Sequence, residues 1–177
     1  NLLKKLLQKF IIILQRWTLS YRKIIVIVQN KDDENFLIRK KIIDKKRIIT
    51  IKGSGVDLDK FKYSDHNYAK KIVLFPSRLL KNKGVMEFLE ASKILSKKYP
   101  EWKFLLVGAA DYDHPTTIKQ DELSKYLKIK NIKWLGYKSN MHNIYKKCSI
   151  VCLPSYREGM PKSLLEAASI GRPVVTT

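Results

Sequence analysis

The chain opens with apolar side chains at Leu3, Leu6, Leu7, Phe10, Ile13, Leu14 and Trp17. This three-and-four spacing places them on one face of a helix. Lys4, Lys5, Lys9 and Arg16 stand off that stripe. The period changes at Lys23–Val28, KIIVIV, where a β-branched run predicts a strand covered on both faces. Asn30 then caps a helix with Asp32, Asp33 and Glu34 in its first turn, where the helix dipole favours acids. A short strand over Arg47–Ile51 leads to Gly53 and Gly55, which mark a turn. Residues 1–55 therefore read as the last elements of one domain, and the polar stretch 56–71 as a connector between domains. Asp57 in that stretch is either a polar contact at a hinge or the cap of a turn.

From Ile72 to the end the two periods alternate. The short apolar runs IVLFP, KFLLVG, IKWLG, IVCLP and PVVTT are separated by GVMEFLEASKILSKKY, IKQDELSKYLK, NMHNIYKKC and PKSLLEAASI, each with helical spacing. Short buried strands joined by helices imply right-handed crossovers, and so an α/β domain with a Rossmann-like, doubly wound parallel sheet over residues 72–177. Ligands bind such sheets beyond the carboxyl ends of the strands. Candidate chemistry is therefore sought in those loops.

Composition narrows the field. The chain has 177 residues, 45% of them hydrophobic, which excludes a disordered tail. A formal charge of +20, from 36 basic and 16 acidic residues, calls for an anionic partner or reflects a lysine-rich solvated surface. The charge is spread, +11 over residues 1–71 and +9 over 72–177. With no recognition helix or RNA-binding aromatic signature, nucleic acid is not the expected partner. Cys148 and Cys152 cannot build a disulfide framework, which points to a reducing cytoplasm. The histidines, His66, His114 and His142, are too scattered to join them around a metal. Residues 1–30 carry six basic side chains (Lys4, Lys5, Lys9, Arg16, Arg22, Lys23) and no acid. Their helix could lie on an anionic bilayer at the inner face of a membrane, but packing on a sheet is its expected use. The apolar run Phe10–Leu14 is far too short to span a bilayer. The chain begins with Asn, as a fragment would.

The loops after the strands hold distinctive groups. After the first stand Arg78 and Lys83, a fork and a point charge suited to a diphosphate. After the second stands Gly108, whose missing side chain would let a ligand approach the backbone. After the third come Gly136, Tyr137 and Lys138, placed to read a base edge. After the fourth comes REGMPKSLLEAASIGRPVV, with Glu158 and Glu166 on either side of a helix start. Pro161, which has no N–H to lose, suits the first turn of that helix, and the backbone N–H groups within Gly159–Ser163, those of Gly159, Met160, Lys162 and Ser163, would form its anion-binding end. Glu166 lies five residues beyond Pro161, about 7.5 Å along the axis. The two acids sit at different depths, a layout that matches sugar, diphosphate and ribose in a nucleotide sugar.

The stretch Glu158–Glu166 resembles the E-x7-E motif of retaining glycosyltransferases of the GT-B fold, family 4 (group 1), of the polysaccharide-biosynthesis type. GSGVD at Gly53, SRLLKNKGV at Ser77, LLVG at Leu105, WLGY at Trp134 and LPSYREGMPKSLLEAASIGRPVV at Leu153 fall in that family's order. Together they cover about residues 22–177. The resemblance implies that residues 72–177 are the donor domain of such an enzyme, incomplete at its C-terminus, and that residues 1–55 end the acceptor-side domain. It also implies transfer of a sugar from a nucleotide-diphosphate donor to a glycan or polyprenyl-linked acceptor in capsule or lipopolysaccharide synthesis. No cofactor or metal is expected. By the same resemblance Arg78 and Lys83 stabilise the departing diphosphate and Glu158 contacts the transferred sugar. Gly108, Gly159, Met160, Pro161, Lys162, Ser163 and Leu164 line the donor, Glu166 takes the ribose, and Gly136, Tyr137 and Lys138 flank the base. The family's glycine-rich acceptor loop is missing, so this piece is expected to bind donor without turnover.

Other classes fit less well. Asp111-Tyr112-Asp113 matches the metal–diphosphate signature of the other large glycosyltransferase fold, but the surrounding alternation reads as the metal-independent fold and the triplet as a solvated loop. A glycosidase also uses two carboxylates, yet here one acid lies inside a helix behind an anion site. A nucleotide-sugar-binding module without catalysis and a basic nucleic-acid-binding domain are the remaining alternatives.

Overall fold

The computed structural model describes residues 2–21, 23–65 and 70–177. Arg22 and His66, named above, lie outside the described residues. The chain divides into two compact units, residues 1–55 and 56–177.

In the first unit, α1 (Leu2–Leu19) precedes β1 (Val26–Val28), α2 (Lys31–Arg39) and β2 (Ile48–Thr50). Asn30 caps α2, its side chain accepting from the Asp33 amide at 2.8 Å. Glu34 is buried and accepts from Lys31 Nζ at 2.9 Å and Thr50 Oγ1 at 2.7 Å, bonds that hold its carboxyl below the usual range. β1 and β2 pair in parallel, with Ile27 opposite Ile49.

Two expectations fail in this unit. The strand expected over Lys23–Val28 shortens to three residues, and Ile25, Ile27, Ile49 and Ile51 are exposed. The reason is that α2 packs beside this two-stranded sheet while, among the described residues, no second layer covers the face those isoleucines share. α1, expected to pack on a sheet, has no buried residue. Among the described residues its tie is the Arg16 guanidinium, which donates to the Lys40 carbonyl at 2.6 and 3.1 Å.

The second unit contains β3 (Ile72–Pro76), α3 (Val85–Lys98), β4 (Lys103–Val107), α4 (Gln120–Leu127), β5 (Ile132–Trp134), α5 (Met141–Lys147), β6 (Ile150–Leu153), α6 (Lys162–Ser169) and β7 (Val174–Thr176). All strand pairs are parallel, in the order β5-β4-β3-β6-β7. The chain moves outward from β3 to β5 and then returns past β3 to β6. Right-handed crossovers then put α3 and α4 on one face and α5 and α6 on the other. The reversal between β3 and β6 is the switch point at which such sheets open a crevice. Leu74, Phe75, Leu106, Val151 and Leu153 lie in the core between the helix layers. Burying each such side chain contributes about 1.5–3 kcal/mol.

Residues 56–65, expected as a connector, pack on this second unit. Phe61 is buried in its core, its carbonyl accepts from Ser169 Oγ at 2.7 Å, and the Ser64 amide donates to Ile170 O at 3.2 Å. Asp57 caps the turn before Phe61, its Oδ1 accepting from the amides of Asp59 and Lys60, each at 3.0 Å.

Candidate functional site

Two loops meet at the switch point. The β3–α3 loop carries Ser77 and Arg78, turns through buried Leu79 and Leu80, and enters a 3₁₀ turn at Lys81–Lys83. Leu79 anchors it twice, donating to Ala109 O at 3.0 Å and accepting from the Ile118 amide at 2.9 Å. Arg78 is left on the exposed side. Gly84 ends the turn with φ +76°, and a Cβ there would sit 1.9 Å from the carbonyl oxygen of Pro154. Only glycine allows the β6–α6 loop to come this close.

That second loop is stitched to the first. The Asn82 carbonyl accepts from Ser155 Oγ at 3.2 Å and from the Tyr156 amide at 3.1 Å, and the Tyr156 hydroxyl donates to Glu87. Lys83 Nζ lies 2.6 Å from Glu158 Oε1, with the two side chains 24% and 22% exposed. The two residues assigned to the reacting end of the donor are therefore partners of each other.

α6 starts one residue later than the sequence pattern places it. Pro161 is its cap, with φ −70° and ψ 115°, and Lys162 is its first residue. The Pro161 carbonyl takes the amides of Leu164 and Leu165, at 3.0 and 3.3 Å. Among the described residues, no protein group accepts from the amides of Gly159, Met160, Lys162 or Ser163. Unpaired amides at the positive end of a helix form an anion site. Leu164 differs from the donor-contacting role expected of it. Its side chain is in the core and its amide is used inside the helix, so it seats α6 on the sheet.

Behind the amides lies a cleft of about 330 Å³. Pro76, Ser77 and Arg78 line it from β3, Val107, Gly108 and Ala109 from β4, Tyr137, Lys138, Met141 and Tyr145 from the β5–α5 segment, and Ser163 and Glu166 from α6. The sequence-derived candidates Arg78, Gly108, Tyr137, Lys138, Ser163 and Glu166 thus share one cleft. Gly136, Lys83, Glu158 and Gly159–Lys162 are not among its lining residues. Gly108, which lines the cleft, is also required by packing. A Cβ there would sit 1.9 Å from Ser77 O, its amide donates to Gly136 O at 3.0 Å, and its carbonyl accepts from Trp134 Nε1 at 2.9 Å.

Glu166 is partly buried, and burial raises its carboxyl above the usual range, opposed by Lys162, by a 3.4 Å hydrogen bond from the Tyr145 hydroxyl, and by Lys60. Burial likewise raises the Tyr145 hydroxyl. Ser77, Ala109, Met141 and Tyr145 were missed from sequence. Ser77 and Ala109 adjoin flagged residues, and the four-residue spacing of Met141 and Tyr145 on α5 was the available signal for the other two.

Asp111, Tyr112 and Asp113 are exposed, and the Asp111 carbonyl closes a turn by accepting from the His114 amide at 3.0 Å and from the Thr117 hydroxyl. Among the described residues, no three His, Cys, Asp or Glu side chains stand together as a metal site. None of the described helices is long and apolar enough to cross a membrane.

A parallel sheet whose order reverses between β3 and β6, with a crevice at that reversal bordered by two glycine-dependent close approaches, is a Rossmann-like α/β domain. The family model for glycosyl transferases group 1 matches residues 56–177, and the chain belongs to that family. It is 32% identical, over 164 residues and 85% of its length, to an N,N'-diacetylbacillosaminyl-diphospho-undecaprenol alpha-1,3-N-acetylgalactosaminyltransferase of Campylobacter jejuni. It spans 41% of that relative's length. Among solved structures, it resembles the C-terminal domain of the group 1 glycosyl transferase LpcC from Francisella tularensis, with 27% identity, a TM-score of 0.59 and coverage of 69% of this chain and 70% of that one. Anabaena HepE, crystallised with UDP and glucose, shares the fold at 22% identity and a TM-score of 0.68, over 86% of this chain and 44% of its own.

Proposed function

We propose that this chain is the donor side of a retaining family 4 glycosyltransferase. It moves a sugar from a nucleotide diphosphate to a polyprenyl-linked or other glycan acceptor in cell-surface polysaccharide synthesis. One observation carries this reading: amides at the start of α6 that have no protein acceptor among the described residues lie between Glu158, ion-paired to Lys83, and Glu166 in the cleft behind. The C. jejuni relative, named for a diphospho-undecaprenol acceptor, supports the acceptor class. HepE, crystallised with UDP and glucose, supports the donor class.

In this scheme the diphosphate lies on the N–H groups of Gly159, Met160, Lys162 and Ser163, with Arg78 and Lys83 against its charge. Glu166 accepts from ribose hydroxyls, and Gly136, Tyr137 and Lys138 flank the base. Glu158 holds the sugar near its anomeric carbon. As the anomeric C–O bond breaks, the acceptor hydroxyl attacks on the same face, and its proton passes to the leaving diphosphate. Charge that builds on the leaving group is met by fixed donors, which lowers the barrier. No metal is required, because two cations and a helix terminus supply the positive field. The protein works in the cytoplasm at the inner face of the membrane, an assignment that the acid-free basic stretch of residues 1–30 supports.

Calorimetric titration with UDP-, GDP- and ADP-sugars tests this directly. At least one is expected to bind with a Kd of about 1 μM–1 mM, the range of enzyme Michaelis constants. No heat with any of the three would overturn it.

A further inference from the structure

The assignment of Glu166 to the ribose leaves open what holds that carboxylate in place, and α5 supplies a candidate. Tyr145 is fully buried beneath the cleft, with its hydroxyl 3.4 Å from Glu166 Oε2. Its ring leans on Phe61, with centroids 6.2 Å apart. Its carbonyl is fixed by Arg172 Nε at 3.0 Å and by the Cys148 amide at 3.2 Å. Arg172 is itself buried and reaches back to Ser64, with Nη2 2.5 Å from the hydroxyl and 3.1 Å from the carbonyl. A rigid chain of contacts therefore runs from the 64–65 segment through Arg172 and Tyr145 to Glu166.

We infer that Tyr145 is a positioning residue for nucleotide recognition: its hydroxyl holds one oxygen of Glu166 and leaves the other for the ligand. This rests on the donor reading of the cleft. The physical case is that a buried phenol needs a partner, and among the described residues the hydroxyl's partner is Glu166. A carboxylate with one oxygen fixed loses less rotamer entropy on binding, which favours affinity. Removing the hydroxyl frees Glu166 to rotate and deprives its charged form of a donor. The groups facing Glu166 are Tyr145 from α5, Lys162 one turn earlier on α6, and Lys60 of the turn before Phe61. Arg78 and Lys138 line the same cleft. His142 and Cys148, also on or next to α5, turn to Phe61 and to the Tyr145 carbonyl instead.

The test uses whichever of UDP, GDP or ADP binds the chain most tightly. Affinity is measured across the acidic pH range for wild type, Tyr145→Phe, Glu166→Ala and the double variant. Tyr145→Phe keeps the ring and is expected to fold with an unchanged melting temperature. It should weaken binding by about three- to tenfold, the net worth of one ordinary hydrogen bond. The acid limb of the affinity profile should move to higher pH, because ionised Glu166 is the accepting form and has lost a stabilising donor. In the Glu166→Ala background, Tyr145→Phe should have no further effect.

A purely structural tyrosine would lower the melting temperature and leave the acid limb in place, which overturns the inference. So does equal nucleotide affinity in wild type and Tyr145→Phe while Glu166→Ala binds weakly, an outcome in which the ribose assignment stands. Wild-type affinity in Glu166→Ala removes the ribose assignment and this inference together. Should Tyr145→Phe fail to fold, 3-fluorotyrosine incorporation keeps the question open to decision. The fluorine resonance of residue 145 should follow a carboxyl titration that Glu166→Gln abolishes, and a resonance unaffected by Glu166→Gln overturns the inference.

Discussion

Lys83 Nζ sits 2.6 Å from Glu158 Oε1, a bridge between loops that follow different strands and are 75 residues apart in the chain. On the proposed function, a donor diphosphate would compete with Glu158 for the same ammonium. Exposed ion pairs contribute about 0–1 kcal/mol, and this one, with 24% and 22% of the two side chains exposed, keeps only partial access to water.

Lys83→Ala should therefore weaken nucleotide-diphosphate binding by about tenfold or more. Glu158→Ala releases Lys83 and should leave nucleotide affinity unchanged or tighter, while turnover of the enzyme with its acceptor falls steeply. Calorimetry with UDP and an acceptor assay separate the two effects. An equal loss of UDP affinity in both variants would contradict the competition.

Gly84 and Gly108 are expected to be intolerant of a methyl group. At each, a Cβ would stand 1.9 Å from a carbonyl oxygen, of Pro154 and Ser77 respectively. Gly84→Ala adds left-handed strain at φ +76°. Each variant should lose more than about 2 kcal/mol of stability in urea unfolding. Wild-type midpoints would show that the loops separate without cost.

Glu166 gives a pH prediction whose sign follows from burial. Its folded carboxyl titrates above the usual value, with burial as the main cause. Ionisation therefore opposes folding, and its contribution is lost as pH rises through the folded value. Glu166→Gln carries no such loss. At about pH 7.5 that variant should be at least as stable as wild type while binding nucleotide less well, and its advantage should vanish at acid pH. Urea midpoints at several pH values check this.

Much of this architecture is written locally in the chain. Ile72–Pro76 is a continuous apolar run that predicts a buried strand, and β3 spans those same residues. Gly108, Gly136 and the Glu158–Glu166 stretch stand out in the sequence because turns and helix starts demand particular residue types. What eluded the sequence was long-range. No period links Lys83 to Glu158, Gly84 to Pro154, or Tyr145 to Glu166. The β-branched run at Lys23–Val28 predicted a strand covered on both faces, and the covering failed because exposed Ile27 and buried Val28 differ only in what lies over them. At Gly108 the packing against the Ser77 carbonyl, a contact between the ends of separate strands, was likewise invisible in the sequence.

α1 offers a separate test. Leu3, Leu6, Phe10, Ile13 and Trp17 are exposed on a helix with no acidic residue. If the helix contacts lipid, the chain should float with vesicles containing anionic phosphatidylglycerol and detach as salt is raised. Protein remaining at the bottom of the gradient at low salt would exclude a bilayer role.

The most direct measurement is amide NMR of the nitrogen-15-labelled chain titrated with UDP, GDP and ADP. At least one nucleotide is expected to shift the resonances of Gly159, Met160, Lys162 and Ser163 together with those of Tyr137 and Lys138, and to leave α1 unmoved. Shifts confined to other segments, or none with any of the three, would contradict a donor site at the start of α6.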